Sequence, residues 1–242
     1  MKFAVCIPCV KKHQDILLLT IKFIEAQTRK PDLIVISISD TIDDPVYDTN
    51  IINSVSVPTT IKHTNKRLYA GANRNIAAAE AVKQGATHIS FFDADDIMHP
   101  QRLECIERAF TEHPELVGFL HCFLCGSTKN MAIYRGEIEF PWEPISNDFM
   151  PKIFEPGEYY HDIIKFQYCF ARPRRGYGMA ANGHISVLAD FWQENPYLET
   201  AVTGEDNHFS CSILRKKKML GYTGDTLSVY MRNDVANFQI AL

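Results

Sequence analysis

No stretch of this 242-residue sequence reaches the roughly 18 consecutive apolar residues that a membrane-spanning helix requires. The amino-terminal apolar run, Phe3 to Pro8, is short and ends in proline, a poor match to a secretion signal. An excess of basic charge is also missing. Lys and Arg number 25 against 29 Asp and Glu, a formal charge of −4, which excludes a general nucleic-acid binder. Internal repeats and low-complexity tracts are absent. So is a paired-cysteine framework: the seven cysteines, at 6, 9, 105, 122, 125, 169 and 211, are odd in number and sit in apolar context. Thiols in a reducing, cytoplasmic compartment are the expectation. What is present is a core-forming composition, 46% hydrophobic and 22% charged, too apolar for a disordered acidic chain. The length suits one generous α/β domain.

The first half alternates strand and helix signals. Phe3 to Pro8, Asp32 to Ser39, Thr59 to Lys62 and His88 to Phe92 read as strands buried on both faces. Between them lie helical stripes, Leu17, Ile21 and Ile24 in one and Ala72, Ile76, Ala79 and Val82 in another, the second stopped by Gly85. Pro100 opens a further helix with Leu103, Ile106 and Phe110 inside. Repeated β-α-β units predict a parallel sheet with helices on both faces and ligands outside the carboxyl ends of its strands. Pro8, Asp40 and the aspartates at 93, 95 and 96 all fall at such ends. Residues 136 to 170 are rich in aromatics without a period and are expected to form an irregular insertion. Helices at Val187 to Gln193 and about Glu205 to Lys216, then strands at Met219 to Tyr222 and Leu227 to Met231, complete the expectation.

Asp93-Ala94-Asp95-Asp96 is the sharpest chemical feature. Carboxylates at the end of a buried strand are costly unless a positive group meets them. A hard divalent cation with substrate phosphates meets that need, and an acidic turn before the Pro100 helix is the plainer alternative. Arg74, in Gly71-Ala72-Asn73-Arg74-Asn75, offers a planar fork of donors to an anionic group, or is a surface arginine. Gly204-Glu205-Asp206 opens a helix, so Asp206 serves either as its cap or as a general base facing a hydroxyl. Cys122 and Cys125 lack a second pair, which favours buried thiols over zinc. The run Arg215 to Lys218 suits a helix carboxyl end, and its four charges only just reach the minimum for peripheral contact with an anionic membrane. His184 and His208 are isolated histidines that could ligate a metal or simply pack.

Taken in order, Ile7-Pro8, Ser39-Asp40, GANRNIAAAEA at 71–81, FFDADDIMHPQRL at 91–103 and GED at 204–206 resemble the family 2 glycosyltransferases of the GT-A fold. The resemblance implies an α/β, Rossmann-like fold: a mainly parallel central sheet flanked by helices, with the aromatic-rich insertion and a short mixed carboxyl-terminal part. Residues 1–242 would form one domain, about 1–115 holding a nucleotide-sugar and about 116–242 the acceptor. By resemblance, Pro8, Val10, Asp40 and Arg74 would line the nucleotide pocket. Asp93 and Asp95 would lie by ribose and diphosphate, with Asp95 or Asp96 on Mn2+ or Mg2+. Asp206, with Glu205 beside it, would be the base of an inverting transfer. The donor would be UDP-, GDP- or dTDP-linked and the acceptor a glycan or other hydroxyl.

Two departures stand out. The second strand ends SISDTIDD rather than in the doubled acidic DDGS of the family, and Asn233 stands where many relatives carry a metal-holding histidine. Two other readings compete. A sugar-1-phosphate nucleotidyltransferase needs a Gly-rich basic loop after the first strand, whereas this chain has CVKKHQD. A non-catalytic sugar-nucleotide or glycan-binding module would not need both DADD and GED.

Overall fold

The computed structural model describes residues 1–125, 142–146, 149, 151–154, 179–180 and 182–231. Strand β1 (Phe3–Val10) lies inside the sheet because it is apolar on both faces: Phe3, Val5 and Ile7 pack into one core cluster, Ala4 and Cys6 into the other. It pairs in parallel with β2 (Leu33–Ser39) and β4 (His88–Phe91), and β2 pairs in parallel with β3 (Thr59–Thr64). Beyond β4 the sheet continues through β9 (Ser186–Leu188), β6 (Leu116–Cys125) and β10 (Met219–Tyr230) to the short β5 (Ile97–Met98). β9 is antiparallel to both its neighbours, while β6 and β10 run parallel. β7 (Lys152–Phe154) joins β10, and β8 (Met179–Ala180) joins β6. The expected mainly parallel α/β sheet is therefore present.

Helices cover both faces. α1 (Gln14–Glu25), α2 (Pro45–Asn53) and α4 (Arg102–Glu112) bury Leu17, Ile21, Ile51, Leu103 and Ile106 against one face. α3 (Ala70–Lys83), α5 (Ala189–Glu194) and α6 (Glu205–Arg215) bury Ala77, Ala81, Trp192, Phe209 and Ile213 against the other. Small residues on α3 allow close approach to its neighbours. A Cβ built on Gly71 would lie 2.4 Å from the Leu198 carbonyl oxygen, a contact that backbone cannot relieve cheaply. Gly71→Ala is expected to lower stability by about 1–3 kcal/mol, read as a lower Tm in thermal unfolding; an unchanged Tm would mean that the 198 backbone yields freely.

Two expected elements differ. Val187 begins no helix: Ser186 to Leu188 fill the seam between β4 and β6 as a strand, and the helix starts at Ala189. Long-range pairing outweighs the local helical spacing there. The two expected terminal strands are one, β10, whose register slips between Thr223 and Ser228 without losing β6. Most of the 136–170 insertion lies outside the described residues, although Lys152 to Phe154 within it forms β7. Cys6, Cys9, Cys105, Cys122 and Cys211 are buried free thiols. Among the described residues no helix is long and apolar enough to cross a membrane.

Candidate active site

The carboxyl ends of β1 and β4, the start of α3 and the start of α6 enclose a cleft of about 370 Å³. Pro8, Val10, Arg74, Asp93, Asp95, Glu205 and Asp206 line it, so seven of the residues singled out from sequence converge on one space. Cys9, His13, Asn73, Thr203 and Tyr230 line it too and were not foreseen. Asp40 does not; it is exposed at the end of β2, where a left-handed backbone (φ +64°) carries the chain off the strand.

The motif entering α3 is a set of struts. Asn73 donates to the Cys9 carbonyl (3.2 Å) and Ser39 Oγ (3.0 Å) and accepts from Ser37 Oγ (2.9 Å), which ties β1 and β2 to the helix. Asn75 accepts from the Tyr197 amide (2.9 Å) and donates to its carbonyl (3.0 Å), anchoring the loop that leads to Gly204. Arg74, only 3% exposed, donates to Asp93 Oδ1 and to Glu205 Oε1, each at 2.7 Å. Although burial works against its charge, Asp93 and Glu205 hold this guanidinium firmly protonated. Arg74 is thus no surface arginine: both its amino groups are engaged in joining the acidic strand end to the acidic helix start.

Asp206 differs from its neighbour. Gly204, in a left-handed conformation (φ +77°), occupies the cap position of α6, and Asp206 lies within the first turn. Among the described residues its Oδ1 accepts only the Asn207 amide (2.7 Å), and burial raises its pKa above that of an ordinary carboxylate despite Arg74. Both carboxylates line the cleft, but Glu205 is tied to Arg74, whereas among the described residues Asp206 makes no ion pair.

The aspartates at 93, 95 and 96 divide. Asp95 faces His13 Nδ1 at 3.6 Å. Asp93 and Asp96 instead meet His184: the three donor atoms lie within 4.8 Å of one another. Of the two aspartates expected on the metal, Asp95 or Asp96, the second lies in this cluster and the first faces His13. Asp96 is fully buried; its Oδ1 accepts the Met231 amide (2.8 Å). Its Oδ2 sits 2.8 Å from His184 Nε2 but lacks hydrogen-bond geometry, leaving a buried carboxylate oxygen unsatisfied. Burial, then Asp93, pushes the Asp96 carboxyl well up. Burial, aided by Arg102 and Arg74, holds His184 down to about 3 against the pull of Asp93, so its ring is neutral at pH 7. His184 Nδ1 meets Ser228 Oγ at 2.9 Å. With the proton on Nδ1, Nε2 turns a lone pair to the unsatisfied oxygen, an arrangement that a shared cation would relieve. Two carboxylates and one imidazole fit a divalent metal with positions left for other oxygens. Asn233 lies outside the described residues.

A mostly parallel sheet that gathers an acidic cluster and a carboxylate-bearing helix start at its carboxyl rim is the GT-A type of glycosyltransferase fold. The chain belongs to that class by family as well: the model of glycosyl transferase family 2 matches residues 4–175. No curated protein matches significantly. Among solved structures, residues 1–349 of S. aureus TarS with UDP superpose with a TM-score of 0.65 at 13% identity, covering 96% of this chain and 60% of that one. The same fragment with UDP-GlcNAc gives 0.64 at 13%, covering 96% and 59%. The mannosyltransferase PcManGT from Pyrobaculum calidifontis, with GDP-Man and Mn2+, gives 0.56 at 12%, covering 95% and 56%. This chain thus spans about 60% of the length of the TarS fragment.

Proposed function

We propose that this chain is a metal-dependent, inverting glycosyltransferase that moves a sugar from a nucleoside-diphosphate sugar to a hydroxyl of a glycan or other acceptor. The observation that carries the reading is the presence, in one cleft, of Asp93 and of Asp206 with its raised pKa, with Asp96 and His184 buried within reach of Asp93. Asp93, Asp96 and His184 would hold Mn2+ or Mg2+, which when bound supplies positive charge for the departing diphosphate. Asp206 accepts the proton of the acceptor hydroxyl. Arg74 keeps the two acidic elements in register, and Pro8, Val10 and Asp95 face the donor. UDP-, GDP- and dTDP-sugars are the candidate donors; relatives of this fold have been solved with UDP, UDP-GlcNAc and GDP-Man. About 1–115 serves the donor and about 116–242 the acceptor. The buried free thiols suit a reducing, cytoplasmic setting.

The test is release of nucleoside diphosphate from a panel of UDP-, GDP- and dTDP-sugars, with Mn2+ or with chelator. Metal-dependent release that rises with an acceptor, and product of opposite anomeric configuration by NMR, is the expected outcome. Binding without turnover on every donor would make the chain a binding module. Pyrophosphate formation or consumption would make it a nucleotidyltransferase.

A further inference from the structure

Arg102 opens α4 just behind the acidic cluster and is 0% exposed. Burying a guanidinium is expensive, and among the described residues no carboxylate pairs with it. A long apolar side chain would fill the space at lower cost, so stability is a poor reason for an arginine there. Its bonds suggest another. Nε donates to His121 Nε2 (3.0 Å), Nη1 to Ser90 Oγ (2.9 Å), and Nη2 to the carbonyls of Phe91 (3.1 Å) and His184 (2.6 Å). A planar, rigid fork is the side chain able to meet four acceptors on β4, β6 and the 182–184 turn at once. The shortest of the four goes to the residue whose ring faces Asp96. A second hold comes through Phe92, whose ring stacks on His184 (4.3 Å, 26°) and lies 5.1 Å from the Arg102 guanidinium carbon. His121 is fitted to receive the fork, because its Nδ1 meets the Cys122 carbonyl at 2.8 Å and leaves Nε2 as the acceptor.

We propose that Arg102 is the positioning residue of the metal centre: by gripping the His184 carbonyl and bracing Phe92 it aims His184 Nε2 at Asp93 and Asp96. The proposal rests on the metal site put forward above and adds a residue that touches neither metal nor substrate. Gly183 packs so closely that a Cβ would lie 2.9 Å from Asp93 Oδ2 and 3.0 Å from Arg74 Nη2, so the turn is seated directly against the acidic strand end.

The experiment measures Mn2+ affinity without turnover, from the electron paramagnetic resonance signal of unbound Mn2+. Four proteins are compared: wild type, Arg102→Lys, His184→Ala and the double variant. Changes that disturb the support of a metal ligand typically cost about 10–100-fold in affinity, and Arg102→Lys is expected to fall in that range with an unchanged circular dichroism spectrum. Because Arg102 acts through His184, adding Arg102→Lys to His184→Ala should weaken binding little further. Wild-type Mn2+ affinity in Arg102→Lys beside a weakened His184→Ala would overturn the proposal and leave the metal site standing. Unchanged affinity in His184→Ala would remove the metal reading and the proposal with it. Additive losses would place the action of Arg102 elsewhere. Should Arg102→Lys fail to fold, Arg102→Gln, which buries no charge, carries the same expectations; failure of both to fold would show that the role is in folding alone.

Discussion

Asp206→Asn is expected to cut sugar transfer about 10²–10⁴-fold, the usual contribution of a general base, while Mn2+-dependent nucleotide binding stays near wild type. The amide keeps the volume and the acceptor oxygen that receives the Asn207 amide, so the start of α6 is undisturbed. It cannot accept a proton. Gly204 rather than Asp206 sits at the cap, which removes the structural reason for a large effect. The pH profile supplies a second check. A base works only when ionised, and burial raises the Asp206 pKa; the acid limb of kcat/KM should therefore lie above the range of an ordinary carboxylate. Activity should rise through that limb as pH increases, and the limb should vanish in Asp206→Asn. Glu205→Gln makes a useful comparison, since it disturbs the ion pair with Arg74 rather than the proton acceptor. Wild-type transfer by Asp206→Asn with a competent acceptor would assign the base to another group.

Asp96→Asn should abolish metal-dependent turnover and weaken Mn2+ binding by more than the 10–100-fold that outer-shell changes typically cost. The substitution is discriminating because Asp96 does two things with two oxygens. Oδ1 accepts the Met231 amide at 2.8 Å, which asparagine can reproduce. Oδ2, fully buried and without a hydrogen bond, carries the negative charge towards His184 and Asp93, which asparagine cannot reproduce. If Asp96 were only an anchor for the 231 backbone, the variant would behave as wild type. The metal-free protein gives the opposite sign in stability. Burial and Asp93 oppose ionisation of Asp96 in the metal-free protein, so the Tm of Asp96→Asn without metal should equal or exceed that of wild type, while the rise in Tm that Mn2+ causes in wild type disappears. Loss of fold in the variant, or a retained Mn2+ shift, would count against the site.

Much of this was written in local pattern. The apolar runs at Phe3 to Pro8 and Asp32 to Ser39 could only be strands buried on both faces, and the order of strand and helix signals left one class of sheet. Because parallel strands all end on one rim, placing Pro8, Asp93 and Asp95 near each other needed no coordinates beyond that inference, although the same inference put Asp40 there too and Asp206 came only with the resemblance. GANRN was legible as a unit, yet not its division of labour. Asn73 to Ser39, Arg74 to Glu205 and Asn75 to Tyr197 are bonds between segments whose meeting no spacing announces.

By itself, then, the amino-acid sequence determined the fold class, the rim on which chemistry happens and most of the acidic groups that stand there, since periodicity and strand polarity are properties of neighbouring residues. Tertiary structure alone decided which acid does what. Arg74 pairs with Glu205 and not with Asp206, and the turn at 93–96 sends Asp95 to His13 while Asp93 and Asp96 face His184. An isolated histidine and a lone arginine meet beside the acidic cluster only because β9 inserts between β4 and β6 and brings the 182–184 turn against the end of β4. Burial is what turns such an encounter into chemistry: a carboxylate oxygen left without a partner away from water calls for a proton or a cation, and that demand arises from the packing of distant segments, not from the residues next to it in the chain.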